Sequence, residues 1–361
     1  MLTTSRDQIW RDRRAMRVLG MGTALPGAPI TNDELLDRLH DTFNVDVRRK
    51  SGVVAHRLGI NTRHLCRDLL RRSESPRAGD GNADLCARAV RAALEEAQLE
   101  PNDLVYLIGH TTSPGRVLPP NITQVADLLG YGGPFLELRQ ACTGFANALV
   151  IAEGLLRACE NGPVAIVGSE TGSVYFDPLR VVEDPGQLVN MMQMGDGAAA
   201  CVLAHESTGS GLGTISNVYY GYTGLGKRPG FSLQTGGSDF LGEPERPCEF
   251  THDFAAVGEQ GVSLFERGFQ AAQSLGVDIS AIDHVIPHQA NGRMADVLAH
   301  HLGIDKTRVF VNADRVGNTG SAAIWLAFAE LRTRLRRDAA ALVLGAEATK
   351  YMFGGFCYVH D

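Results

Sequence analysis

The chain has no apolar run of 18 or more residues, so a membrane-crossing helix is not expected. Its seven cysteines form no CxxC pair and keep no regular spacing. That argues against a disulfide framework and suits reduced thiols in a cytoplasm. Eleven histidines are present, His300-His301 among them, but none stands in a His/Cys/carboxylate spacing that suggests a metal. Positive charge is not in excess: the net charge of −7 gives no general case for nucleic acid or an anionic membrane as partner. The phosphate-loop pattern GxxxxGK[ST] is missing, and Gly195-Asp196-Gly197 reads as a tight turn into a strand. Residues 1–16 are polar and Arg-rich, without the apolar centre of a secretory signal, and read as an N-terminal extension. What remains is ordinary globular composition, 361 residues with 44% hydrophobic and 21% charged, enough for two domain-sized cores.

Strand-like and helix-like patterns alternate, which argues for α/β layers. Strands are expected at 17–24, 105–109, 134–138, 164–170, 197–203 and 282–287, and helices from Thr31, over 83–97, 121–129 and 146–158. Residues 47–63 read as irregular and basic, and 71–82 as a polar loop. Residues 171–194 form a long mixed segment of the kind that caps a pocket.

An internal duplication is visible. Val105-Tyr106-Leu107-Ile108-Gly109-His110 is matched by His284-Val285-Ile286-Pro287-His288, and Val125-Ala126-Asp127-Leu128-Leu129 by Met294-Ala295-Asp296-Val297-Leu298. Ala141-Cys142-Thr143-Gly144 is matched by Gly317-Asn318-Thr319-Gly320, and Val167-Gly168-Ser169-Glu170-Thr171 by Leu344-Gly345-Ala346-Glu347-Ala348. The matches keep one order and nearly one offset. They divide the chain into similar halves, 17–208 with the cysteine and 209–361 with the histidine and asparagine. A pseudo-twofold would make the Cys142 and Asn318 helices equivalent and antiparallel at the centre, with their N-termini facing one pocket. His288, at a strand's carboxyl end, belongs beside the same pocket.

Cys142 lies at or just before a helix N-terminus, where unpaired N–H groups and the dipole favour a thiolate. Taken alone it could equally be a buried structural cysteine, His288 a capping histidine and Asn318 a turn residue. Together they carry a definite chemistry. A cysteine with a histidine partner forms an acyl-enzyme. Asn318 does not take a proton, but its amide donates, and with His288 it can stabilise a thioester oxyanion or enolate. That set suits acyl transfer to a carbon nucleophile generated by loss of CO2.

Ala141-Cys142-Thr143-Gly144-Phe145, Pro287-His288-Gln289-Ala290-Asn291 and Gly317-Asn318-Thr319-Gly320-Ser321-Ala322 resemble the three active-site motifs of β-ketoacyl-acyl carrier protein synthase III, in the thiolase superfamily. Gly195-Asp196-Gly197-Ala198-Ala199, Thr111-Thr112-Ser113-Pro114, and Thr23-Ala24-Leu25-Pro26 with Thr31-Asn32 resemble further motifs, so the likeness spans roughly residues 17 to 359. The resemblance implies a thiolase-like five-layer αβαβα fold and a homodimer. It implies Cys142 as acyl acceptor, His288 and Asn318 as decarboxylation and oxyanion pair, and no tightly bound cofactor. The substrates would be acyl-coenzyme A or the phosphopantetheine thioester of an acyl carrier protein, entering by a tunnel. It further implies substrate contacts by Phe145, Asn291 and Met194, a docking role for Arg293 toward an acidic carrier protein, and a place for Leu118 in the partner's acyl pocket.

Several positions depart from the family pattern. The family's tryptophan-containing segment that stacks on the coenzyme A adenine has no clear match before Arg57, and His56-Arg57-Leu58-Gly59-Ile60 replaces the usual RTGI. Residues 348–354 replace a glycine-rich turn that supplies an oxyanion N–H, and Met194 stands where an aromatic is common. These departures imply a specialised relative. The readings left open are decarboxylative Claisen condensation with a malonyl-type thioester, acyl transfer to oxygen, nitrogen or sulfur, and a non-catalytic subunit of a heterodimer. All three polar residues being present argues against the last.

Overall fold

The computed structural model describes residues 8–158, 162–233 and 250–361. The first part of the chain forms β1 (Ile9–Asp12), β2 (Met16–Ala24), β3 (Ile30–Thr31), α1 (Asn32–Phe43), α2 (Arg48–Leu58), β4 (Thr62–Arg63), α3 (Asn82–Ala97), β5 (Tyr106–His110), α4 (Asn121–Leu129), β6 (Phe135–Leu138), α5 (Gly144–Ala158), β7 (Val164–Glu170), α6 (Pro185–Gln193) and β8 (Gly197–His205). The rest forms β9 (Gly213–Tyr222), β10 (Phe231–Leu233), β11 (Phe250–His252), α7 (Phe254–Ser274), β12 (His284–Pro287), α8 (Met294–Leu302), α9 (Ala313–Val316), α10 (Ala323–Arg332), β13 (Ala340–Glu347) and β14 (Met352–His360).

The main sheet runs β12-β13-β14-β9-β2-β8-β7-β5-β6, with β1 added to β9. Its two arms meet where Met16, Arg17 and Val18 of β2 pair with Ile215, Thr214 and Gly213 of β9. Outward from that seam the strand order is the same in both arms. The fifth position, held by β6 on one side, is marked on the other by a bridge between Val285 and Val309.

Strand periodicity builds the layers. Because successive side chains alternate faces, Ala198, Ala200 and Val202 of β8 pack under α3, while Ala199, Cys201 and Leu203 face α5 and α10. In β13, Ala341 and Val343 face the same central layer, while Leu342 and Leu344 pack with α7 and α8. Both faces being covered explains why β7 and β8 read as continuous apolar runs. Side chains are small where helices press closest: a Cβ on Gly20 or Gly22 would lie 2.1 Å from a carbonyl oxygen of α3. The result is α3/α4, sheet arm, α5/α10, sheet arm, α7/α8, the five-layer αβαβα fold of the thiolase superfamily. No helix among the described residues is long and apolar enough to cross a membrane.

Two expectations need correction, and a third region gains detail. Residues 47–63 are not irregular: α2 occupies Arg48–Leu58 and ends at Gly59 in the left-handed region. It has no side-chain N-cap and a weak apolar pattern, and it is held by Val54, Ala55 and Leu58 packing on the cluster built from α1 and α6. Packing, not propensity, stabilises it. The 171–194 segment is partly ordered as α6, with Asp184 as N-cap and Pro185 at the first position. The proposed extension, of which residues 1–7 lie outside the described residues, contributes β1 to the sheet, with Trp10 opposite Tyr220, and Arg14 pairs with Glu153 at 2.8 Å.

Candidate active site

Cys142 sits half-buried in the turn that leads into α5. Gly144 N–H donates to the carbonyl of Ala141 at 2.9 Å, closing the turn. His288 follows the last residue of β12. Its N–H donates to the carbonyl of Leu344 at 2.8 Å, and the buried side chain of the next residue, Gln289, bonds Pro287, Asn312 and Phe310. Asn318 lies in the turn before α10. Its N–H donates to Gln193 at 2.8 Å and its carbonyl accepts from Gly195 at 3.0 Å, so α6 and the Gly195 turn clasp it from both sides. Gly317, at φ 75°, takes a conformation that only glycine adopts cheaply.

The three side chains meet at one cavity of about 150 Å³. One wall is apolar: Met194, Phe231, Val257, Leu264 and Phe265. The other is polar: Thr112, Glu170, Glu347 and Thr349. The Asn318 amide has a fixed orientation. Its Oδ1 accepts from Gly320 N–H at 3.1 Å, which leaves the Nδ2 hydrogens as donors toward the cavity. His288 is 6% exposed, and its Nδ1 finds no partner among the described residues. Burial lowers its pKa to about 4, so the imidazole is neutral at pH 7.

The cysteine's ionisation differs from the expectation. The helix N-terminus favours a thiolate, but burial and then the charges of Glu347 and Glu170 push the thiol well above its ordinary value. The resting pair is therefore a protonated thiol and a neutral imidazole.

Of the other expected residues, Met194 lines the cavity and is 7% exposed. Phe145 does not: it is fully buried between Trp325 and Phe356, with centroids at 6.0 and 5.9 Å in edge-to-face contact. It points into the central core because it lies on the inner face of α5. Asn291 also misses the cavity; its side chain accepts from Arg293 N–H at 2.8 Å and closes the turn before α8. Arg293 is at the surface beside α2, bonded to the carbonyl of His56 at 3.0 Å. Leu118 is 80% exposed and lies away from the cavity of its own chain.

Sequence reasoning gave no role to Glu170 and Glu347, although the duplication matched them. Each ends a strand, β7 or β13, and reaches across to the other half. Glu347 accepts from Thr143 N–H at 2.9 Å and from the Thr143 hydroxyl at 2.7 Å. Glu170 accepts from Ser321 N–H at 3.3 Å and its hydroxyl at 3.0 Å, and from Thr112 and Ser113. Burial raises the pKa of Glu170 against these donors. His110, the counterpart of His288, is locked in the core, accepting from Trp325 Nε1 at 3.0 Å.

Residues 136–220 match the family described as 3-oxoacyl-[acyl-carrier-protein (ACP)] synthase III, and residues 272–351 match its C-terminal part. A β-ketoacyl-[acyl-carrier-protein] synthase III of Rhodospirillum rubrum is 30% identical over 349 residues, 94% of this chain and 96% of that protein. Among solved structures, the tetronic acid condensing enzyme AbyA1 is 27% identical with a TM-score of 0.83, over 95% of this chain and 99% of that one. The 3-oxoacyl-(acyl carrier protein) synthase III of Pseudomonas aeruginosa PAO1 is 27% identical with a TM-score of 0.77, over 97% and 99%.

Proposed function

The chain belongs to the β-ketoacyl-acyl carrier protein synthase III family of acyl-transferring condensing enzymes, and from that membership we propose that it works through an acyl-enzyme at Cys142 and a decarboxylative Claisen condensation. The thiol attacks the carbonyl of an acyl-coenzyme A or acyl-carrier-protein thioester. Its proton passes to the neutral imidazole of His288, the displaced thiol leaves protonated, and the acyl group stays on sulfur. The backbone N–H of Cys142 and one in the turn after Glu347 stabilise the oxyanion. A malonyl-type thioester then loses CO2 as its C–C bond breaks, and the enolate oxygen takes hydrogen bonds from Asn318 Nδ2 and His288. The enolate carbon attacks the acyl group, a C–C bond forms, and the cysteine sulfur leaves.

The observation that carries this reading is the orientation of Asn318. With Oδ1 tied to Gly320 N–H, the side chain meets the cavity shared with Cys142 and His288 as a donor only. A neutral donor pair is what a forming enolate needs and what a silent subunit has no use for.

The same reading makes the working unit a cytoplasmic homodimer in which Leu118 reaches the partner's acyl pocket, and it gives exposed Arg293 contact with an acidic carrier protein. The likeness to a tetronic acid condensing enzyme, with the departures at Leu58 and residues 348–354, supports a specialised fatty acid or polyketide-type pathway. Intact-protein mass spectrometry with a panel of acyl thioesters, with and without malonyl thioester, tests the proposal. Wild type should gain the acyl mass, Cys142→Ala should not, and malonyl thioester should release a product lengthened by two carbons. A full acyl shift on Cys142→Ala overturns the assignment. A product carrying the acyl group on oxygen, nitrogen or sulfur identifies simple transfer instead.

A further inference from the structure

We propose that Glu347 is a positioning residue for acylation: one buried carboxylate ties the turn that carries Cys142 to the turn that follows β13, so that nucleophile and oxyanion donors keep one geometry. The inference rests on Cys142 being the acylated nucleophile. Glu347 is 2% exposed and lines the cavity. Its Oε2 accepts twice from the residue after the cysteine, from Thr143 N–H at 2.9 Å and from its hydroxyl at 2.7 Å. Its Oε1 accepts from the hydroxyl of Thr349, one residue beyond Ala348. The side chain thus spans the two places from which backbone N–H groups can reach a thioester oxygen. Charge-assisted bonds of this kind are about twice as strong as neutral ones. A displacement of about 1 Å at a reacting centre costs on the order of 100-fold in rate.

The duplication makes the role more specific. Glu170 performs the matching service for Ser321 in the Asn318 half, so each half's strand-end carboxylate braces the other half's helix N-terminus. Glu347 differs in what it braces, because the turn it holds bears a thiol. The ionisable groups facing Cys142 across the cavity are Glu347, Glu170, His288 and His252; His110 packs beneath Gly144, and Tyr220 bonds Gln140 at 3.0 Å. Of these ionisable groups, among the described residues, Glu347 is the one bonded to Thr143 in the cysteine's own turn. Its charge adds to burial, the larger cause, in keeping the resting thiol protonated, and thiolate formation is left to the encounter with substrate and His288.

Three variants test this, each checked for folding by its melting temperature. Glu347→Gln keeps an acceptor for Thr143 and removes the charge; Glu347→Ala removes both; Thr349→Val keeps the charge and cuts one arm. Alkylation of Cys142 by iodoacetamide, followed by peptide mass spectrometry between pH 6 and 10, reads the thiol. Single-turnover self-acylation reads the geometry. Glu347→Gln should move the alkylation profile to lower pH. A tenfold gain in thiolate should speed alkylation only about threefold, since a thiol's nucleophilicity falls as its acidity rises. Glu347→Ala should be alkylated faster yet self-acylate on the order of 100-fold more slowly. Thr349→Val should slow self-acylation and leave the alkylation profile where it is. A Glu347→Gln profile superimposed on wild type, or wild-type acylation by Glu347→Ala, overturns the proposal. If wild type itself takes up no acyl group from any thioester, the reading of Cys142 fails, and the alkylation profiles still decide whether Glu347 acts on the thiol.

Discussion

Replacing Phe145 separates a core role from a substrate-binding one. The ring is fully buried, contacts Trp325 and Phe356 edge to face, and presses on Gly345, where a Cβ would come within 2.6 Å of it. Phe145→Ala removes the six ring carbons from a site walled by β13, α10 and β14, which cannot collapse readily. Such truncations cost about 3–5 kcal/mol, a figure that includes the roughly 0.5–1.5 kcal/mol of each aromatic pair. Phe145→Leu keeps most of the volume and should cost about 1–2 kcal/mol. In a chain longer than those for which about 2–4 °C per kcal/mol holds, the melting temperature should fall about 4–7 °C for Ala and about 1–3 °C for Leu. The companion assay is self-acylation across acyl chain lengths. Both variants should keep the wild-type order of preference, because the ring does not line the cavity. A changed chain-length preference at an unchanged melting temperature refutes the reasoning and returns Phe145 to the substrate pocket.

His288→Ala and Asn318→Ala should each slow release of CO2 from malonyl thioester by about 100- to 1000-fold, the usual cost of losing one oxyanion donor, while slowing self-acylation less; radiometric CO2 release against the acyl mass shift decides, and equal loss in both half-reactions counts against the enolate role. Stability should also carry a histidine contribution at acid pH. His110 titrates at about 3 because burial lowers it, and an unfolded histidine at about 6.5. The unfolded chain then binds the extra proton, so the contribution is full above about pH 6.5, is lost as pH falls toward about 3, and is constant below. Glu170 and Asp196 have pKa values raised by burial and act in the opposite direction, so the measurement is a difference. Urea unfolding of His110→Gln, which keeps an acceptor for Trp325, should lose less stability than wild type between pH 7 and 4. Parallel curves would remove His110 as the source.

Features that depend on a few adjacent residues were legible. Thr31 and Glu34 form a reciprocal cap, with Glu34 accepting from Thr31 N–H at 2.7 Å, and the pattern is visible in four letters. β7 and α4 have the limits expected from their apolar periods. The cavity was legible through the duplication, which pairs Cys142 with Asn318 and sets His288 at a strand end. Contacts made across the halves were not. α2 carries a polar sequence and is helical because Val54 and Leu58 find α6. Phe145 stands three residues from Cys142, and only the rotation of α5 decides that it faces Trp325. The Glu170 and Glu347 carboxylates look like ordinary strand-end charges until their partners, Ser321 and Thr143, arrive from the other half.

The duplicated frame leaves one more matter to chemistry, since a symmetric scaffold has to yield an asymmetric site. His110 and His288 stand at matching strand ends, yet only one faces the cavity. His110 is the last residue of β5 and fills the space over Gly144 and Gly168, where a Cβ would lie 2.5 and 2.6 Å from its ring. In the other half Pro287 ends β12 one residue earlier, and His288 leaves the sheet on the following loop. The space over Gly345, which corresponds to Gly168, is taken by Phe145 from α5. Moving one imidazole out of the core thus requires an aromatic ring to replace it, and that ring comes from the helix that carries the cysteine. Core filling and the asymmetry of the cavity are linked, so a substitution that lets His288 fold back toward Gly345 should need a smaller residue at 145.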